Sequence, residues 1–165
     1  IYDLNTFTKV QTVNVGISIF DEILQIKFAD GNNDGQDEII ISADSDFILL
    51  NPTDFSVVNS FGFESGDFDV GNVDNDSALE IVFNHGRVIQ IDNEMVNEEV
   101  DLYPNINSNG GFVQVSDIDN DGIEEAIFPK DRLQAFDVEN NFMMIDQSLA
   151  FFYVALLNLA YLNCD

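Results

Sequence analysis

The chain has 165 residues, and 31 aspartates and glutamates against 5 lysines and arginines give it a formal net charge of −26. A hydrophobic fraction of 45% with 15 phenylalanines predicts a folded protein rather than a disordered acidic chain. The few basic residues are scattered and form no patch, which excludes nucleic acid and anionic membrane surfaces as partners. A single histidine and a single cysteine also exclude a Cys/His zinc cluster.

The first twenty residues predict two strands. Residues 1–6 match the third strand and following turn of the repeat described next, and residues 9–15 match its fourth strand. We therefore expect residues 1–20 to form the second half of a four-stranded unit.

An internal repeat fills most of the chain. Its copies appear in the similar segments 26–41, 68–83 and 113–128, in which the same loop position recurs after 42 and then 45 residues. This period suits four short strands joined by tight turns, as in one blade of a β-propeller.

Each copy has the same predicted order of elements. A strand leads through an acidic loop to a second strand, then through a turn to a third, such as Phe47 to Leu50, and through another turn to a weaker fourth. We assign repeat 1 to residues 21–62, repeat 2 to residues 63–107 and repeat 3 to residues 108–148. The prediction is an all-β fold of about three to four four-stranded antiparallel propeller blades, in a closed or incomplete ring.

The last segment, residues 149–165, does not match the repeat. Leu149 to Leu162 is apolar except for Asn158, and it is shorter than the roughly 20 residues that span a bilayer, so no membrane insertion is expected. Three interpretations stay open: closing strands for the unit begun by residues 1–20, an atypical capping unit, or a tail foreign to the propeller or cut from a longer array. The apolar tail or an incomplete ring could also mediate self-association.

The acidic loops predict metal sites. Counting each loop from its first acidic or amide residue, oxygen-bearing side chains stand at positions 1, 3, 5 and 9, and position 7 can offer its backbone carbonyl. The candidate ligands are Asp30, Asn32, Asp34, Gln36 and Glu38 in the first loop, Asn72, Asp74, Asp76, Ala78 and Glu80 in the second, and Asp117, Asp119, Asp121, Ile123 and Glu125 in the third. An all-oxygen shell of six or seven ligands suits Ca²⁺, so we expect up to three calcium ions.

Position 6 refines this prediction. Gly35 and Gly122 stand where the chain must turn sharply around an ion, whereas the second loop has Ser77 there. The side chains at positions 1, 3, 5 and 9 carry formal charges of −3, −3 and −4 in the three loops. We rank the third loop as the strongest site and the second as the weakest.

Three other polar residues are not predicted to take part in chemistry. Asp37 and Glu124, at position 8 of their loops, are interpreted as outward-facing charges. His85 lies in a predicted turn and is expected to be exposed.

The three loops with their flanking strands resemble the FG-GAP or VCBS repeat, the blade of integrin alpha-chain-like β-propellers, whose core reads D-x-[DN]-x-D-G-x-x-[DE]. The resemblance covers about residues 1–148 and implies calcium-binding loops, blades around a central channel, and an extracellular ligand-binding or adhesive module. We expect a secreted or cell-surface module that recognises protein or glycan, in which calcium is structural and no residue is catalytic. The alternative is a propeller segment of a secreted polysaccharide-degrading enzyme.

Overall fold

The computed structural model describes residues 2–3, 8–9, 12, 14–15, 22–62, 66–92, 95–102, 111–129, 132–138 and 142–148. Within these ranges the chain contains strands and turns but no helix, and hence no helix that could cross a membrane. The all-β prediction is confirmed. Residues 149–165 and most of residues 1–20 fall outside these ranges. The predictions for the apolar tail and for a fourth strand over residues 9–15 therefore stay predictions.

The strands form one hairpin and three larger sheets. The hairpin pairs β1 (Tyr2–Asp3) with β2 (Thr8–Lys9). Sheet I contains β3 (Ile23–Ala29), β4 (Glu38–Ala43), β5 (Phe47–Leu50) and β6 (Val57–Phe61). Sheet II contains β7 (Phe68–Gly71), β8 (Glu80–Phe83), β9 (Arg87–Asp92) and β10 (Met95–Asp101). Sheet III contains β11 (Gln114–Ser116), β12 (Glu125–Pro129), β13 (Arg132–Asp137) and β14 (Phe142–Ser148).

Each of the three sheets has four strands that pair in chain order, and every pairing is antiparallel. The third strand of sheet I has the predicted bounds, Phe47–Leu50, and the second and third strands of that sheet are almost entirely buried. Strands buried on both faces have apolar residues at successive positions rather than alternating ones, as in the Ile39 to Ile41 run. None of the described sheets closes into a ring.

Aromatic packing joins sheet I to sheet II. Phe47 lies in edge-to-face contact with both Phe68 and Phe83, with ring centroids 5.3 Å apart in each pair. All three side chains are fully buried, and burial of each contributes about 1.5–3 kcal/mol to folding. A second core joins sheet II to sheet III, in which Val82 and Val88 belong to the same buried cluster as Phe128 and Phe136.

Polar contacts join the first strands of the three sheets. Lys27 of β3 donates from Nζ to Oδ1 of Asp69 in β7 at 2.6 Å, and the backbone N–H of Val115 in β11 donates to Oδ2 of the same carboxylate at 2.9 Å. Two residues before Asp69, the side chain of Asp67 accepts the N–H of Val113 at 3.0 Å. The first strands therefore lie next to one another in the order β3, β7, β11, and the acidic loops that follow them lie at one end of these strands.

Candidate metal sites

Each acidic loop joins the first strand of a sheet to the second, and position 9 of the loop is the first residue of that second strand. Glu38, Glu80 and Glu125 hold this position, and each is at most 3% exposed. A buried carboxylate needs a hydrogen-bond donor or a cation, because burial penalises its charge. The same backbone donor serves all three, since the N–H at loop position 2 donates to Oε2 of the glutamate at 2.8–3.1 Å.

The other acidic side chains curl the loop around its own centre. In every loop the side chain at position 3 accepts the N–H of position 5 at 2.7–3.1 Å, and the side chain at position 5 accepts the N–H of position 7 at 2.6–2.9 Å. These are local turns of the kind that aspartate and asparagine side chains favour. They hold the side chains of positions 3 and 5 against the backbone of their own loop.

Position 1 behaves differently in the second loop. Asp30 accepts the N–H groups of Asp34 and Gly35. Asp117 in the third loop accepts the N–H groups of Asn120 and Gly122. Asn72 instead donates from Nδ2 to the carbonyl of Asp76 at 2.8 Å. Its Oδ1 is buried and accepts no hydrogen bond in the described part of the chain.

The backbone at position 6 follows the sequence prediction in two loops. Gly35 and Gly122 have φ values of 87° and 99°, in the left-handed region that glycine enters without strain. Ser77 is not among the described residues with positive φ. The second loop therefore turns by another backbone path and avoids the left-handed strain that a serine would have suffered there.

Two loops bring three carboxylates together. The group in the second loop is Asp74, Asp76 and Glu80, and the group in the third loop is Asp117, Asp119 and Glu125. Within each group the carboxylate oxygens lie within 4.8 Å of one another. Each group contains one buried, one half-buried and one exposed residue. Each could hold a metal ion. Among the described residues the first loop shows no such group, and position 3, which contributes to both groups, is the amide Asn32 in that loop.

Burial, together with crowded negative charge, raises the pKa of two of the position 9 glutamates, Glu38 and Glu125. Burial, followed by the charge of Asp34, raises the pKa of Glu38 from 4.5 to about 7, against the opposing hydrogen bond from Gly31. Burial also raises the pKa of Glu125, and the nearby charges of Asp119, Asp121 and Asp117 add to it. A divalent cation in either loop would reverse this repulsion.

Sequence reasoning missed two residues that link the loops to the neighbouring sheet. Asn33, at position 4, accepts the N–H of Leu79 at 2.6 Å and donates to the carbonyls of Leu79 and Ile91 at 3.1 and 3.3 Å. Asparagine recurs at position 4 in all three loops, and this recurrence was the available signal. Glu124 accepts the N–H of Asn72 at 2.9 Å and donates its own N–H to the carbonyl of Asn72 at 2.9 Å.

The interpretation of Glu124 as an outward-facing charge is therefore wrong, because its side chain reaches the second loop, whereas Asp37 is exposed as expected. His85 also departs from expectation. It is half-buried and stacks on the ring of Phe83, with ring centroids 5.4 Å apart.

The fold and the loops define the class of protein that the structure supports. It is an all-β chain with two clusters of three carboxylates, each of which could hold a metal ion. No protein-family model, curated protein or solved structure matches this chain.

Proposed function

We propose that this chain is a non-catalytic, calcium-binding propeller module of the FG-GAP or VCBS type that recognises protein or glycan outside the cell. The observation that carries the proposal is the pair of three-carboxylate groups in the second and third loops, each built around a buried glutamate. The first loop has the same hydrogen-bonding pattern and would hold a third ion.

The chemistry of the ligands favours calcium. All candidate side-chain ligand atoms in the loops are carboxylate or amide oxygens. Calcium binds six to eight such oxygens with flexible geometry. In the second loop the buried Oδ1 of Asn72 stands at a ligand position and accepts no hydrogen bond in the described part of the chain. A cation would satisfy this oxygen.

Calcium would act on stability. Each loop connects two paired strands, so an ion held between positions 1 and 9 ties the end of the first strand to the start of the second. An ion that binds only the folded state adds about 2.7 kcal/mol when its concentration is about 100 times the dissociation constant. Extracellular fluids supply calcium, and their salt screens the remaining repulsion of a strongly acidic surface.

The packing of the sheets supports a propeller arrangement. Three sheets of equal strand number follow one another in chain order, pack face to face, and place their first strands side by side. In a propeller these strands would line the central channel. Ligand recognition would then fall to loops and exposed edges rather than to the calcium sites.

A thermal melt in millimolar calcium and in excess EDTA, with metal analysis of the calcium-loaded chain, tests the proposal. We expect a clear rise in the unfolding midpoint with calcium, a smaller rise with magnesium at the same concentration, and close to three bound ions. Asp37→Asn is a matched control, because it removes a loop carboxylate that is exposed and stands outside the ligand positions. Equal midpoints in calcium and EDTA, with no bound metal, would reject calcium binding, and turnover of a glycan substrate would reject the non-catalytic role.

A further inference from the structure

One face of β3 is apolar and open. Ile26 and Phe28 alternate along the strand, so they lie on the same face, and Leu24 precedes them at a β-bulge. The three side chains are between 46% and 64% exposed. The opposite face is occupied, because Gln25 accepts the N–H of Phe68 and Lys27 bonds to Asp69 in sheet II. We call the side presented by Ile26 and Phe28 the β3 face.

The matching positions in the other two sheets are covered. Ile26 aligns with Phe68 in the second repeat and with Val113 in the third, which are 0% and 4% exposed. Phe68 packs on Phe47 of sheet I, and Val113 belongs to the core that joins sheets II and III. In both cases the preceding sheet covers the first strand, so the β3 face has the composition of a surface that another strand should cover.

Part of this side of sheet I is already covered. Ile41, Ile48 and Leu50 are buried on β4 and β5, and Val15 from the N-terminal part of the chain packs against them. The covered part belongs to the second and third strands of the sheet, and the open part belongs to the first. The β3 face therefore needs a segment that lies over the first strand of sheet I, in the way that the preceding sheet lies over the first strands of sheets II and III.

We infer that the apolar segment from Leu149 to Leu162 covers the β3 face. It follows β14, which ends at Ser148, and it has one polar residue in 14 and no charge. The 17 residues after Ser148 can extend over about 56–61 Å, and this length sets how far the segment can reach from the end of β14.

Comparison with the existing connections supports this length. Six residues lead from β6, which ends at Phe61, to β7, which starts at Phe68. The connection from β10 to β11 uses twelve residues. A six-residue connection would leave residues 155–165, which include the apolar stretch Ala155 to Leu162, to lie on the β3 face, and a twelve-residue connection would leave only residues 161–165. The inference depends on no bound ion, so it stands or falls separately from calcium binding.

Spin labelling of the full chain tests it. Cys164 is the single cysteine, so a nitroxide attached there marks the end of the segment without any substitution. In a ¹⁵N-labelled sample we expect the amide signals of Ile26 and Phe28 to lose at least half of their height relative to the reduced, diamagnetic label. Unchanged heights for these amides would overturn the inference.

A mixed sample separates this chain's own segment from a second copy. Chains that carry ¹⁵N but no nitroxide are combined with chains that carry the nitroxide but no ¹⁵N. We expect no loss of the β3 signals in this mixture. A loss that occurs in the mixture to the same extent would assign the β3 face to a neighbouring copy and overturn the inference.

A pair of substitutions adds a second readout. Phe28 and Met95 are 64% and 65% exposed, so Phe28→Asp and Met95→Asp should have equal, small effects if both side chains face solvent. We expect only Phe28→Asp to lower the unfolding midpoint, by several degrees, and to restore the amide signals of β3 in the labelled chain. Equal midpoints for the two variants would contradict coverage of the β3 face.

Discussion

The glutamate that closes the first loop gives the sharpest prediction, because its effect on stability should change sign with calcium. Burial and the charge of Asp34 raise the pKa of Glu38 from 4.5 to about 7, and this rise of about 2.5 corresponds to about 3 kcal/mol at 1.36 kcal/mol per pKa unit. The folded chain therefore holds the proton more tightly than the unfolded chain. The contribution of Glu38 to stability is full below pH 4.5 and is lost as the pH rises through about 7.

Glu38→Gln removes the charge and keeps an oxygen that can accept the N–H of Gly31. In EDTA at about pH 8 we expect the variant to be more stable than the wild type by up to about 3 kcal/mol, which is about 6–12 °C in midpoint for a chain of this size. At about pH 4.5 the two proteins should differ little, because Glu38 is then protonated in the folded wild type.

In saturating calcium the order should reverse, because the variant lacks a carboxylate ligand and binds one ion fewer. Thermal or urea unfolding across the pH range, in EDTA and in calcium, measures both effects. Asp37→Asn, which removes an exposed neighbouring charge, should reproduce neither. If Glu38→Gln is no more stable than the wild type in EDTA at about pH 8, the account of a crowded, buried carboxylate is refuted.

Three further substitutions test other parts of the structure. Glu125→Gln should reduce the bound calcium by one ion in native mass spectrometry, and an unchanged stoichiometry would remove Glu125 from the ligands. Gly71→Ala should cost about 1–3 kcal/mol in a urea melt, because the new methyl group would meet the Glu124 carboxylate and a Val115 methyl group, whereas Gly62→Ala, with open space, should change stability by less than about 0.5 kcal/mol. Phe68→Ala should cost about 3–5 kcal/mol, and the exposed Phe112 provides the control, whose replacement by alanine should cost far less if the core assignment is right.

The strands of each repeat could be predicted from local patterns. Apolar runs bounded by turn residues located the third strand of sheet I to the residue, Phe47–Leu50, and the acidic loops fell between paired strands as expected. Local hydrogen bonds also follow from local sequence, since an aspartate at position 3 or 5 finds its donor two residues later.

Contacts between repeats could not be predicted in the same way. Glu124 bonds to Asn72, which is 52 residues away, and Asn33 bonds to Leu79 and Ile91, which are 46 and 58 residues away. These contacts depend on how one sheet lies on the next, and no local periodicity carries that information. Asp37 and Glu124, both at position 8, are interpreted from the sequence as outward-facing charges, but only Asp37 is exposed.

The Asp69 carboxylate gives the three copies of the repeat fixed places in the series. It bonds to Lys27 on one side and to the backbone of Val115 on the other, and the corresponding positions in the first and third copies are Lys27 itself and Gln114. If the first copy were duplicated in place of the second, a lysine would lie against Lys27 at this position. If the second copy were deleted, Lys27 would lie against Gln114. Although the copies share one pattern, they are no longer interchangeable, and shuffling or inserting a repeat would require redesign of this central position.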